Sequence, residues 1–280
     1  MKKIGNKVWR IFLVLFFIAG ASVVLYPVIS NAINQKNQTV VISNYEEELK
    51  KLSEEEKEKK LQAARKYNQQ LSDSNLTIQD PFSGETTQNN QSFLNIGEIL
   101  AYIEIPQIDV FLPIYDGMSE AILQVGVGWM EGTSMPVGGE SSHCVLTGHR
   151  GLPEAKLFRD LDKLKKGDVF WVKSLDEKLY YEVYSTEVIK PMDIDKLHIE
   201  PGWDLMTLLT CHPYMINNER LLVHARRVDE PSSAELDRIS TESGAMNQDK
   251  LLVGVIVGGG LLLLLVVRKR RRKSKEDDSR

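Results

Sequence analysis

Two uncharged apolar runs bracket the chain. From Ile11 to Gln35 no side chain carries a charge, and Ile11–Ile29 is almost wholly apolar. Leu251–Val267 is a second uncharged run, 17 residues long. A spanning helix needs about 20 apolar residues, with about 17 as the floor, so the first run is ample and the second just sufficient. Gly254 and Gly258–Gly260 weaken the second run as a soluble helix, but glycine is common in membrane helices. Ser30-Asn31-Ala32 resembles the cleavage site of a secretory signal. The apolar stretch before it, however, is longer than the usual signal core of about 7–15 residues, which favours a retained anchor over residues 11–30.

Between these runs the pattern changes twice. Tyr45, Leu49 and Leu52, then Leu61, Ala64, Tyr67 and Leu71, recur at three- and four-residue intervals among Glu and Lys, which predicts an amphipathic helix over residues 43–72. Ser43 with Glu46 fits a capping box at its start, and the run Glu54–Lys60 is a solvated helical face. Residues 73–97 are polar and too long for an ordinary connection, so they form a lid or a linker. Within them Asp80-Pro81-Phe82 places an isolated aromatic ring after a proline that fixes the local backbone.

Residues 98–228 are short β-rich runs: Ala101–Ile105, Val110–Ile114, His143–Thr147, Val169–Val172, Tyr180–Ile189, Leu205–Thr210 and Arg220–Val228. Prolines, glycines and Asp-Gly pairs separate them. Ser119–Val125 and Glu154–Leu164 read as short helices. Many short strands at this spacing suggest a closed β-barrel or a sandwich. Residues 229–250, rich in Ser and acidic side chains, read as a linker to the second apolar run.

Charge sharpens this layout. Residues 1–10 carry four basic side chains and no acid, and residues 268–280 carry eight basic against three acidic. That leaves 23 basic against 36 acidic side chains between Ile11 and Val267. Basic flanks stay cytoplasmic, so residues 1–10 and 268–280 lie inside and the acidic middle lies outside as one exported domain. An acidic middle excludes nucleic acid as a partner, because phosphate binding needs a cationic face.

Two segments carry candidate chemistry. His143-Cys144-Val145-Leu146-Thr147-Gly148-His149-Arg150-Gly151 is a strand running into a glycine-flanked turn with a histidine. Thr207-Leu208-Leu209-Thr210-Cys211-His212-Pro213 is an apolar strand ending in a cysteine, with a proline to stop the ladder. Arg220 opens the next strand nine residues after Cys211, and a short antiparallel loop would return its guanidinium towards the sulfur. A thiol needs a cationic neighbour to become a thiolate nucleophile, and acyl transfer needs a donor for the developing oxyanion. Cys211, His149 and Arg220 cover these needs. A strand-end cysteine is more often a small buried hydrophobe, and that description suits Cys144. His143 and His212 are second choices for the proton-transfer role, while His198 and His224 are structural or surface groups. No His/Cys/Asp/Glu cluster has metal-ligand spacing, no glycine-rich phosphate loop occurs, and no cofactor is expected.

These residues resemble the sortases, in particular the pilus-assembling class C branch of Gram-positive bacteria. The similarity covers about residues 98–228 and is carried by Leu146–Gly151, Thr207–Cys211 and Arg220–Val223, with Glu131–Ser134 and Pro136–Gly139. The Asp80-Pro81-Phe82 segment, the second membrane segment and the long N-terminal helix are similar to class C features. The resemblance implies a mainly β fold, a closed eight-stranded sortase barrel. It implies a cysteine transpeptidase in which Cys211 attacks the Thr–Gly bond of an LPXTG-like sorting signal on a pilin. His149 would protonate the leaving amine and then deprotonate a lysine amine of the next pilin, and Arg220 would steady the oxyanion. Asp80 would pair with Arg220 and Phe82 would lie over Cys211 as a lid, with Thr210 and His212 as candidate substrate contacts. His212 and Met215 stand where family members often carry Thr and Gly. A Cys144–Cys211 disulfide would abolish this chemistry and is not expected.

Three other functions compete. A hydrolytic cysteine peptidase shares the thioacyl step, and a housekeeping sortase would transfer to peptidoglycan instead of a pilin. A cell-wall-anchored structural protein would need an LPXTG-like motif before Leu251, and Ser243–Lys250 holds none.

Overall fold

The computed structural model describes residues 2–72, 82, 94–236 and 238. Its first element, helix α1, runs from Lys2 to Lys51 and is long and apolar enough to cross a membrane. The residues up to Ile29 form one unit, and a second compact unit runs from Ser30 to Ser243. The apolar run Leu251–Val267 lies outside the described residues.

The expected helix over 43–72 is two elements. Helix α1 ends at Lys51 and helix α2 spans Glu54–Ser72. The capping box is at Ser53 and Glu56, not at Ser43 and Glu46. Glu56 Oε2 accepts from the Ser53 amide and hydroxyl at 2.8 Å each, and the Glu56 amide donates back to Ser53 Oγ at 3.3 Å. Charge explains the break. Lys50 and Lys51 sit in the last turn of α1 and Glu54, Glu55 and Glu56 in the first turn of α2, each matching the sign of its helix dipole. Ser43 is interior to α1, where its hydroxyl donates to the Thr39 carbonyl.

The remainder is a closed barrel. Its strands are β1 (Ala101–Ile105), β2 (Val110–Asp116), β3 (Val127–Trp129), β4 (Ser142–Thr147), β5 (Val169–Ser174), β6 (Glu177–Ile189), β7 (Asp204–His212) and β8 (Glu219–Val228). Their order round the wall is β1-β2-β3-β4-β7-β8-β6-β5. The seven expected strands are present; β3, only three residues long, was not expected. Helix α3 covers Glu120–Val125, with Ser119 as its cap. The expected helix over Glu154–Leu164 is absent: Leu157 has φ +36°, in the left-handed region, and the segment folds as turns with a 3-10 turn at Leu161–Lys163.

Inward-facing residues alternate along the strands. Ile103, Ile105, Ile114, Leu146, Phe170, Val172, Met206, Leu208 and Val223 all belong to one core, each buried side chain being worth about 1.5–3 kcal/mol. Ile42, Tyr45, Leu49, Leu61 and Ala64 from α1 and α2 extend it. Cys144 lies in this core too. Strands β4 and β7 are parallel neighbours in register from Ser142↔Asp204 to Thr147↔Leu209. Their C-terminal ends therefore emerge at the same edge of the barrel, and this sets up the site.

Candidate active site

The register of three strands brings the candidate residues together. Strands β7 and β8 are antiparallel, and Cys211 is the direct partner of Arg220. On the other side of β7 the ladder of β4 continues past Thr147. The Gly148 amide donates to the Leu209 carbonyl at 3.1 Å, and Thr210 Oγ1 donates to the Gly148 carbonyl at 2.6 Å. His149 therefore extends from the strand next to Cys211, one residue beyond Gly148. Cys211 and Arg220 are buried. Neither cysteine is in a disulfide.

Side-chain alternation gives the outer face of these strands a layered character. Cys211 pairs with Arg220, Leu209 with Leu222 and Thr207 with His224, each pair two residues from the last and on one face. The middle layer belongs to an apolar cluster of Met130, Val145, Leu197, Leu209 and Leu222, with Phe82, Met118 and Ile189 against it. The Phe82 ring joins this cluster to the polar layer. Its centroid is 5.5 Å from that of His149, and the Arg220 guanidinium carbon lies 5.0 Å from it. Asp80 and Pro81 lie outside the described residues.

Several fixtures hold the imidazole, and the sequence did not single them out. His149 Nε2 donates to Glu120 Oε1 at 3.2 Å, from the first turn of α3. The Phe158 amide donates to the His149 carbonyl at 3.1 Å. The Arg150 guanidinium bonds the Arg159 carbonyl and, at 2.6 Å, the Asp162 carboxylate. The turns at 154–164 thus serve as the floor of the histidine loop, which explains why a regular helix is not built there. Gly148 is required by the same packing: a β-carbon on it would lie 2.8 Å from the Phe158 ring. Gly148→Ala is expected to displace His149, and any turnover that depends on the imidazole should fall about a hundredfold, the penalty of roughly 1 Å of misplacement. Thermal unfolding of the same variant, shifted by only a few degrees, would separate that effect from loss of fold.

Thr210 and His212, expected as substrate contacts, make internal bonds to the histidine loop. Thr210 is fully buried with its hydroxyl on Gly148. Arg150 Nη1 donates to His212 Nδ1 at 2.8 Å, which ties the end of β7 to the residue after His149. Of the other histidines, His198 is exposed, while His143 and His224 are buried side chains in a polar chain further along the same face. Burial pushes the Cys144 thiol well above its usual range, so it stays protonated and unreactive.

Chemically, the arrangement offers a sulfur, a proton-transfer group and a fixed positive donor beside an apolar cluster. That set suits attack on a carbonyl, proton delivery to a leaving amine and support of an oxyanion. Known proteins share the sequence and the fold. The sortase domain family matches residues 103–228. Sortase D of Bacillus subtilis is 29% identical over 174 residues, covering 58% of this chain and 85% of that protein. The solved structure of sortase C1 of GBS pilus island 1 is 40% identical, covers 70% of this chain and 94% of that one, and superposes with a TM-score of 0.66. Sortase C of Streptococcus pneumoniae is 43% identical, covers 69% and 98%, and gives a TM-score of 0.64. Fold and residue identity agree, and the chain belongs to the sortase family, in its class C branch.

Proposed function

We propose that this protein is a membrane-tethered cysteine transpeptidase that joins pilin subunits into covalent pili. Cys211 Sγ attacks the threonine carbonyl of an LPXTG-like sorting signal. The S–C bond forms, the Thr–Gly C–N bond breaks, and His149 gives its proton to the departing glycine amine. A lysine amine of the next pilin then attacks the thioester while His149 takes back a proton. The S–C bond breaks and an isopeptide bond remains. Arg220, fixed opposite Cys211 and bonded to the Asn217 and Glu219 carbonyls, presents its charge to the oxygen that becomes negative in each step. The apolar cluster around Leu209 and Leu222 offers a seat for the leucine and proline of the signal. Phe82, with Asp80 and Pro81, is the lid over that seat.

The observation that carries this proposal is the Cys211–Arg220 cross-strand pair with His149 extending from the neighbouring strand. Pilin polymerisation is supported by the likeness to sortase C1 of a pilus island. The anchor over residues 11–30 and the segment Leu251–Val267, with basic ends inside, would hold the barrel at the outer membrane face. The test is a transfer assay with the full chain in detergent micelles, an LPXTG peptide and three acceptors: a lysine-bearing pilin domain, a peptidoglycan-type amine and water. The proposal expects the pilin lysine to be acylated in preference. Exclusive transfer to the wall-type amine or to water would replace it with a housekeeping sortase or a peptidase.

A further inference from the structure

On the outer face of β7, about 13 Å along the strand from Cys211 at 3.3 Å per residue, four side chains form an unbroken polar chain. His143 Nδ1 meets the His198 carbonyl oxygen at 2.8 Å, and His143 Nε2 meets Thr207 Oγ1 at 2.7 Å. The same hydroxyl meets His224 Nδ1 at 2.8 Å, and His224 Nε2 meets Glu187 Oε1 at 3.0 Å. The chain links β4, β7, β8, β6 and the connection between β6 and β7. His143, Thr207 and His224 are all buried.

Each of these four contacts needs one hydrogen. Two neutral imidazoles supply one N–H each, and the threonine supplies one O–H. The carbonyl and an ionised Glu187 supply none. The chain is therefore one proton short, and in that state some pair of acceptors must face each other across about 3 Å with little water to relieve them. A single extra proton completes every contact. His143 does not hold it, because burial pushes its pKa down to about 4. The His224–Glu187 end does, since there a carboxylate meets the added charge.

The connection held by this chain packs against the buried apolar cluster proposed above as the seat of the sorting signal. It carries His198, whose carbonyl closes the chain, and Leu197, which is 1% exposed within the cluster of Val145, Leu209 and Leu222. We propose that the His143–Thr207–His224–Glu187 chain is a proton-completed clamp on the β6–β7 connection. With the extra proton bound, the connection is fixed against that cluster and the proposed seat takes a sorting peptide well. When the proton leaves, one contact fails, the connection loosens and peptide affinity falls. The affinity clause rests on the proposed function; the clamp itself does not.

The pH range follows from the surroundings of His224. Glu187 and the Tyr184 ring stand on β6, Thr207 on β7 and His143 on β4, with Lys196 and Glu200 on the connection. Burial lowers the His224 pKa more than Glu187 raises it. The proton is thus lost as pH rises through a value below the ordinary histidine figure of about 6.5, and the clamp is an acid-side device.

The test uses the full chain in detergent micelles, observed by histidine ring nitrogen NMR and by amide hydrogen exchange from about pH 5 to pH 8. We expect His143 to be neutral with its hydrogen on Nδ1 throughout. His224 should be doubly protonated at the acid end, and exchange across residues 190–203 should rise about tenfold as that proton leaves, the worth of one hydrogen bond of about 1.4 kcal/mol. KM for an LPXTG peptide should rise in step while kcat does not follow. Glu187→Gln supplies an amide donor to a neutral His224, so it should keep exchange slow and make it independent of pH. Thr207→Val should give fast exchange at every pH. A His224 with one proton over the whole range would overturn the clamp, as would a Glu187→Gln variant with the wild-type pH dependence. If Thr207→Val does not fold, Glu187→Gln decides alone. If the wild type shows no turnover, the proposed function fails while the exchange data still judge the clamp.

Discussion

Cys211→Ala is expected to abolish cleavage of an LPXTG peptide, while Cys144→Ala retains most of it. Removing the nucleophile from a set of groups that act together typically costs about ten-thousandfold or more. His149→Ala and Arg220→Ala should each cause losses of a similar order, because in the proposed mechanism the three serve the same carbonyl. Cys144 belongs to the barrel core, buried to 3% exposure, and its alanine variant loses only a small buried group. That should cost about 1 kcal/mol of stability, visible as a modest fall in Tm. Peptide cleavage by the three variants and the wild type, with unfolding curves beside it, checks both halves. Equal activity loss from Cys144→Ala and Cys211→Ala, at equal stability, would contradict the assignment.

The second large effect concerns access. Phe82→Ala is expected to speed alkylation of Cys211 by a small reagent about tenfold. The ring contacts both His149 and the Arg220 guanidinium, and aromatic and cation–π contacts of this kind are worth about 0.5–1.5 kcal/mol each. Together they hold the ring against the apolar cluster by roughly the energy of a tenfold change in an equilibrium. Alkylation followed by mass, at saturating and limiting reagent, measures it. An unchanged rate would mean that Phe82 does not cover the sulfur, and the lid would have to be abandoned.

Strands β4 and β7 are buried on both faces and read as short runs bounded by turn residues, whereas β1 buries one face and so enforces alternation. Ala101–Ile105 shows it directly, buried and half-buried positions alternating without exception. Strand β3 was not legible: three residues, Val127-Gly128-Trp129, are too few to show a period. The apolar residues of 154–164 fall at helix-like intervals, yet Ala155, Leu157, Phe158, Leu161 and Leu164 are buried by turns around the histidine loop. Tertiary packing there overrides local pattern. The helix break at Ser53 was present in the sequence as Lys50-Lys51 followed by Glu54-Glu55-Glu56, a charge reversal that marks a stop and a start, but the apolar period ran through it.

The site was legible in part for a similar reason. Cys211 and Arg220 follow from a strand, a short loop and a strand, a local geometry that sequence spacing conveys. The neighbourhood of His149 and Cys211 depends on β4 and β7 being parallel partners, a long-range pairing that spacing does not reveal; the family resemblance supplied it. Glu120, Phe158 and Arg159, which hold the histidine loop, carry no local motif. The four-member polar chain joins residues from four strands and a loop, so His143 and His224 looked like unrelated single histidines.

The most direct measurement is the mass of the intact chain after brief exposure to an LPXTG peptide, followed by peptide mapping at low pH. A thioacyl adduct of the peptide up to its threonine, mapped to Cys211 and discharged by a lysine amine, is the predicted result. No adduct under turnover conditions, or one mapped to any other side chain, would contradict the convergence of Cys211, His149 and Arg220 on a single reacting carbonyl.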